Sequence, residues 1–321
     1  SPKNPRNRVI WGERFPDFGG HMENREDILR LCGQSGCQYR ENEPLKHYTS
    51  FRIGGPAAVM LFPKSTEEVA KAIRLLHGQC RLCVMGKGSN LLAADQGFDG
   101  VILLLGQDFS RIAVEGETLI CEAGATMAKA CQAALENGLT GLEFSWGIPG
   151  SVGGGAYMNA GAYGGEYKDV VAWCEHVDEN GTIGRFSGEE LEYRYRRSVY
   201  SGKNYCITKV ALKLQNGDPA AIQAKMDDLL GRRKAKQPLE YPSAGSTFKR
   251  PEGAYAAALI EQCGLKGFRI GDAMVSEKHS GFLINAGNAT CREVLELAAH
   301  VQRVVKEQTG FTLEREVQLL R

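Results

Sequence analysis

Apolar residues fall at helical spacing in some stretches of the chain and in short compact runs in others. In Thr66–His77, Val69, Ala70, Ile73, Leu75 and Leu76 line one helical face behind a Ser65-Thr66-Glu67-Glu68 start rich in capping groups. Helices are also predicted over residues 24–37, 127–138 with a Gly138 C-cap, 220–236 ahead of Pro238, 254–263 and 290–309. Residues 48–57 read as a short strand running into a glycine turn, and Leu82–Met85 as a compact strand followed by a glycine loop. Strand, helix, strand and glycine loop is the order of an α/β unit. From Val101 to Leu214 short strands (VILLL, TLICEAG, VVAWCEHVD, CITKVALKL) are separated by turn signals such as Glu179-Asn180-Gly181. The chain predicts a last strand over Phe311–Leu320, with Phe311, Leu313, Val317 and Leu319 inward beside Arg315, and Glu314, Glu316 and Gln318 on the opposite face. Taken as a whole the pattern is α+β.

Size and charge narrow this picture. At roughly 100 to 200 residues per domain, 321 residues make two or three domains. The breaks suggest lobes at 22–106 and 107–216 and a smaller domain at 217–321, after Asn216-Gly217-Asp218-Pro219. Residues 1–21 lack periodicity, and Gly19-Gly20-His21-Met22 resembles a cloning remnant before a native start at Met22. A formal net charge of +1, with Arg232-Arg233-Lys234 as the densest basic run, gives no footprint for nucleic acid. No apolar run approaches a membrane span, and no secretion signal opens the chain. Most of the ten cysteines sit in apolar runs, and Cys80-x-x-Cys83 has no second pair at zinc-finger spacing. The expectation is reduced thiols, no metal and a cytoplasmic location.

Four segments carry candidate chemistry. Residues 147–166 hold eight glycines, and Gly86-Lys-Gly-Ser-Asn90 follows a buried strand. Backbone without Cβ can approach a phosphate and turn its N–H groups on it. Both a Walker loop and a Rossmann fingerprint fail at these positions, so turns and tight packing stay open as the plainer reading. Ser246, in Tyr241–Pro251, lies among small residues with Lys249 and Arg250 near; alone it reads as a turn residue. In Tyr193–Tyr200, a strand would put Arg194, Arg196 and Ser198 on one face, either solvated or gripping an anion. Periodicity alone makes Glu316 an ordinary exposed strand glutamate.

Together, YTSFRIGGPA (48–57), GKGSNLL (86–92), GIPGSVGGGAYMNAGAYGGE (147–166), YRRS (195–198), AGSTFKRP (244–251), VSEKHSGFLIN (275–285) and LEREV (313–317) resemble the UDP-N-acetylenolpyruvoylglucosamine reductase family from about Pro44 to the C-terminus. The resemblance implies a vanillyl-alcohol-oxidase (PCMH)-type FAD-binding fold of two α+β lobes plus a smaller α+β substrate-binding domain. The short segment between YRRS and Asn216 matches the family's shorter, type II form. Noncovalent FAD would lie across Arg52, Ile53, Gly54 and Gly55; Gly86, Lys87, Gly88, Ser89 and Asn90; and Gly147, Gly150, Ser151, Gly153, Gly154, Asn159 and Gly161. NADPH would supply electrons to reduce UDP-N-acetylglucosamine enolpyruvate. Arg196 and Glu316 would stabilise the charged intermediate, and Ser246 would donate the proton. Lys234, Lys236, Lys249, Lys278 and His279 are the candidates for the substrate's diphosphate. Lys87 departs from the family's usual third glycine and, having a Cβ, needs an ordinary backbone. The rivals are a flavin oxidase of the same fold acting on an alcohol or sugar, which should lack the Ser246 and Glu316 motifs, and an inactive nucleotide-binding module.

Overall fold

The computed structural model describes residues 24–321; the leader predicted over residues 1–21 lies outside them. Helix α1 (Arg25–Gln34) starts where the Asn24 side chain accepts the Asp27 amide, and α2 (Thr66–Leu76) where Ser65 accepts that of Glu68. Strands β1 (Gln38–Pro44), β2 (Pro56–Phe62), β3 (Leu82–Met85) and β5 (Phe98–Leu104) form a sheet ordered β1-β2-β5-β3, with β4 (Leu91–Ala93) outside it. The β2–β5 and β3–β5 pairs are parallel, with α2 as the crossover between β2 and β3. An antiparallel five-stranded sheet follows, ordered β12-β11-β13-β7-β6, from β6 (Ile112–Glu115), β7 (Thr118–Glu122), β11 (Val171–Val177), β12 (Ile183–Ser187) and β13 (Cys206–Lys213). Between β7 and β11 come α3 (Met127–Glu136), β8 (Leu139–Thr140), α4 (Val152–Met158), and the hairpin of β9 (Gly161–Ala162) and β10 (Gly165–Glu166). Strand β14 (Gln215–Asn216) pairs with β8 and leads into α5 (Pro219–Lys236).

One continuous core runs from Ile28 in α1 through α2, both sheets and α3 to Ile222 and Met226 in α5. Burial of each such aliphatic side chain contributes about 1.5–3 kcal/mol. The core therefore crosses the boundary expected near 107, and α5, expected to open the third domain, packs its buried face on the second lobe. The last part has its own core, built on α6 (Ala256–Gln262), β15 (Arg269–Ile270), β16 (Ala273–Val275), β17 (Leu283–Asn285) and α7 (Cys291–Thr309). Helix α7 opens with a Thr290–Glu293 capping box and closes at left-handed Gly310.

Three expected strands differ from the fold. Residues 48–55 are a loop, with Arg52 at φ 56° and Gly54 at φ 136°, and the strand begins at Pro56. That loop braces the molecule: Ser50 Oγ donates to the Ser243 carbonyl, Asn285 donates to that of Phe51, and Phe51 and Ile53 enter the C-terminal core. Residues 193–198 form a tight turn, not a strand. Arg194 and Arg197 exchange both backbone hydrogen bonds, and Arg196 sits at the tip with φ 52°. The final strand is short, β18 (Gln318–Leu320), parallel to β4. Residues 314–316 pair instead with 247–249, because the segment crosses from the C-terminal core to the first lobe and changes partner at Val317. Its predicted alternation survives the change, with Leu313, Arg315 and Val317 buried.

Candidate active site

The three parts of the chain enclose a cavity of about 380 Å³, within the size range of small-molecule sites. The Gly86–Asn90 loop between β3 and β4 forms one wall. Gly88 takes the left-handed turn at φ 64°; a Cβ there would lie 2.2 Å from the Tyr48 carbonyl. Lys87 keeps an ordinary backbone, as its Cβ requires, and is an exposed residue at the cavity wall. Ser89, Asn90, Gly150, Ser151, Gly153, Gly154 and Gly161 also line the cavity.

Not every glycine there serves a ligand. The amides of Val152, Gly153, Gly154 and Gly155 are all taken by protein acceptors. A Cβ on Gly153 would stand 2.7 Å from that of Ala123, and one on Gly155 2.7 Å from Met127 and Tyr167. These two positions let α4 lie close on its neighbours, so the plainer packing reading holds for part of the loop. Arg52, Ile53, Gly54 and Gly55 do not line the cavity. Gly54 and Gly55 press on Ala93 and Asp95 instead. Gly147 lies against the Arg233 side chain, and Asn159 is fully buried behind the wall.

Arg196, Ser246 and Glu316, which lie far apart in sequence, all reach this cavity. Arg196 Nε donates to Glu316 Oε1 at 2.7 Å, with the side chains only 19% and 14% exposed. Two further donations, to the carbonyls of Asn159 and Gly161 at 3.4 Å each, fix the guanidinium plane. The Glu316 amide donates to the Thr247 carbonyl at 2.8 Å, which sets Ser246 beside Glu316 on the neighbouring chain segment. Asn90 Nδ2 donates to the Glu316 carbonyl at 3.1 Å and ties the glycine loop to the same point. Burial pushes the Glu316 carboxyl above its usual range, against the pull of Arg196 and Lys249. The short ion-pair distance alone would suggest a carboxylate. Either form of the carboxyl can accept from Arg196, the protonated one through its carbonyl oxygen.

The proposed diphosphate contacts fare differently. Lys234, Lys236, Lys249, Lys278 and His279 are absent from the cavity lining. Lys278 donates to the Lys234 carbonyl, Lys249 pairs with Glu314, and the partly buried His279 ring accepts the Gly281 amide. Besides Arg196 and Lys87, the cavity is lined by Arg233, only 5% exposed, with Nε and Nη2 lacking any hydrogen-bond partner in the protein. Burial depresses its pKa. A buried guanidinium left half-satisfied is costly and calls for an anion from a ligand. The signal was in the sequence: Ile222, Met226, Leu229 and Arg233 share the buried face of α5 at intervals of four, three and four.

Among the described residues, no group of His, Cys, Asp and Glu could hold a metal, and no helix is long and apolar enough to cross a membrane. Nine of the ten cysteines are buried. Burial lifts the thiols of Cys121, Cys131, Cys174 and Cys206 to about 12, so they stay protonated.

Comparison with known proteins agrees with this geometry. A sequence model of the UDP-N-acetylenolpyruvoylglucosamine reductase C-terminal domain matches residues 237–320, and one of an FAD binding domain matches 56–187. The chain is 45% identical over 306 residues to the UDP-N-acetylenolpyruvoylglucosamine reductase of Clostridium perfringens, covering 94% of this chain and 95% of that protein. It is 48% identical over 280 residues to that of Caldanaerobacter subterraneus, covering 87% and 92%. The crystal structure of the Thermus caldophilus enzyme superposes with a TM-score of 0.76 at 35% identity, covering 89% of this chain and 99% of that one. A berberine bridge enzyme variant shares only the fold, at TM-score 0.50, 19% identity and coverages of 61% and 44%.

Proposed function

This chain belongs to the UDP-N-acetylenolpyruvoylglucosamine reductase family, and we propose that Arg196, Ser246 and Glu316 carry its reaction with NADPH as electron donor. The reaction reduces the enolpyruvyl ether of UDP-N-acetylglucosamine enolpyruvate, a step of peptidoglycan precursor synthesis, and uses FAD. The residues present suit that cofactor. Two glycine-bearing loops line the cavity, and the buried Arg233 offers two donors without a protein partner to a phosphate. When bound and reduced by NADPH, the flavin would supply a hydride to the terminal carbon of the enolpyruvyl group.

That addition leaves negative charge on the adjacent carbon and its carboxylate. Arg196, held by three acceptors, and a protonated Glu316 are preorganised, largely buried donors for such charge. Ser246 delivers the proton to the adjacent carbon, completing the lactyl ether. A serine is a weak acid, but a carbanion-like centre needs only a positioned donor. The observation that carries this reading is the Arg196–Glu316 pair, with Glu316 bonded to Thr247 next to Ser246, within a glycine-lined cavity.

The test starts with purified protein reconstituted with FAD. Anaerobic NADPH should bleach the flavin, and the enolpyruvyl substrate should restore its colour with UDP-N-acetylmuramate as product. A flavin that NADPH leaves oxidised and an alcohol or sugar bleaches, with oxygen as its reoxidant, would favour the oxidase reading instead. Protein that never takes up FAD would favour the inactive module.

A further inference from the structure

Asn159 is wholly buried, has a left-handed backbone at φ 51°, and does not reach the cavity. Its side chain is engaged entirely within the protein. Glycine would serve that backbone equally well, so the side chain must answer to something else. Its Nδ2 donates to the Arg194 carbonyl at 3.0 Å and faces Glu166 Oε2 at 3.3 Å, while Oδ1 accepts the Lys168 amide at 2.9 Å. The Arg194 carbonyl also closes the two-residue turn whose tip is Arg196. At the other end, the Asn159 carbonyl accepts Arg196 Nη1. One residue thus grips Arg196 twice, through the base of its turn and at its guanidinium.

We propose that Asn159 is a positioning residue that holds the Arg196 guanidinium on Glu316, and so governs the second half-reaction without touching a ligand. The inference rests on the roles proposed for Arg196 and Glu316. Loss of the amide frees the turn, and the guanidinium moves off the carboxyl. Arg196 and Lys249 are the cations that hold the Glu316 carboxyl down against burial, and Lys249 is occupied by Glu314. Losing Arg196 therefore raises the Glu316 pKa further.

Asn159→Gly separates the backbone from the side chain. In the reconstituted holoenzyme, flavin reduction by NADPH should stay near the unmodified rate, while reoxidation by the enolpyruvyl substrate slows by about 10- to 100-fold, the scale of a misplaced catalytic group. The loss should fall on kcat more than on KM. Independently of turnover, the infrared band of the protonated Glu316 carboxyl, assigned with Glu316→Gln, should persist to higher pH in Asn159→Gly than in the unmodified protein. Should Asn159→Gly fail to fold, Asn159→Ser carries the same expectations, since it loses the bond to Arg194. A variant whose reoxidation and Glu316 titration both match the unmodified protein overturns the proposal, and so does slow reoxidation with an unmoved titration. The infrared titration decides it even if the enolpyruvyl compound proves not to be the substrate, an outcome that would overturn the functional reading alone.

Discussion

A serine hydroxyl is a poor acid, so at the scale of single residues the proposed chemistry needs the neighbours of Ser246. Glu316 faces Arg196 and Lys249, yet burial keeps its carboxyl above the ordinary range. Folded protein therefore holds this proton to higher pH than the unfolded chain does. As pH rises from the ordinary glutamate range through the raised value, the folded state binds more protons, and stability attributable to this group falls. Glu316→Gln, neutral at every pH, should flatten that decline in urea unfolding midpoints. In the unmodified enzyme flavin reoxidation should fall as pH rises and Glu316 loses its proton, and the same variant should flatten that fall. An unchanged profile would remove Glu316 as the titrating group. Arg233 makes the complementary prediction. Arg233→Met should fold and should weaken either FAD affinity or the enolpyruvyl substrate's KM by about 10- to 100-fold, the worth of a charged hydrogen bond or two. If neither moves, Arg233 is not an anion site.

Elements explain which glycines matter. A Cβ on Gly55 would stand 2.2 Å from the Asp95 carbonyl, in the loop that braces the C-terminal core, whereas Gly231 in α5 has nothing within 4 Å. Gly55→Ala should cost about 1–3 kcal/mol through overpacking, and Gly231→Ala should gain up to about 1 kcal/mol from helix propensity, both read from urea midpoints. The reverse ordering would contradict the packing account. The helices were the legible part of the sequence. Thr66–Leu76 and Cys291–Thr309 carry both apolar periodicity and capping residues, and they fold within a residue or two of expectation. The loop at 48–55 and the turn at 193–198 were read as strands because their side chains alternate plausibly. Long-range contacts, to Ser243 and Asn285 for the loop and to Asn159 for the turn, decide otherwise. No local pattern could report them.

At the scale of the whole molecule, the site exists only when three parts of the chain meet. Arg196 comes from the second lobe, Ser246 from the C-terminal part, and Glu316 from a segment that leaves that part to pair with β4 in the first lobe. Glu316 looked ordinary in sequence because its significance lies in this crossing, which periodicity does not encode. The residues that the family resemblance singled out, Arg196, Ser246 and Glu316, meet at one cavity, whereas Arg52–Gly55 lie outside its lining and Arg233, not among those expected, lies within it. The central claim is that these residues act after the flavin is reduced. Anaerobic stopped-flow of Ser246→Ala tests it most directly: NADPH should bleach the flavin at close to the unmodified rate, while the enolpyruvyl substrate should restore its colour slower by about 100-fold or more, the scale of a lost general acid. Reoxidation at the unmodified rate would contradict the account.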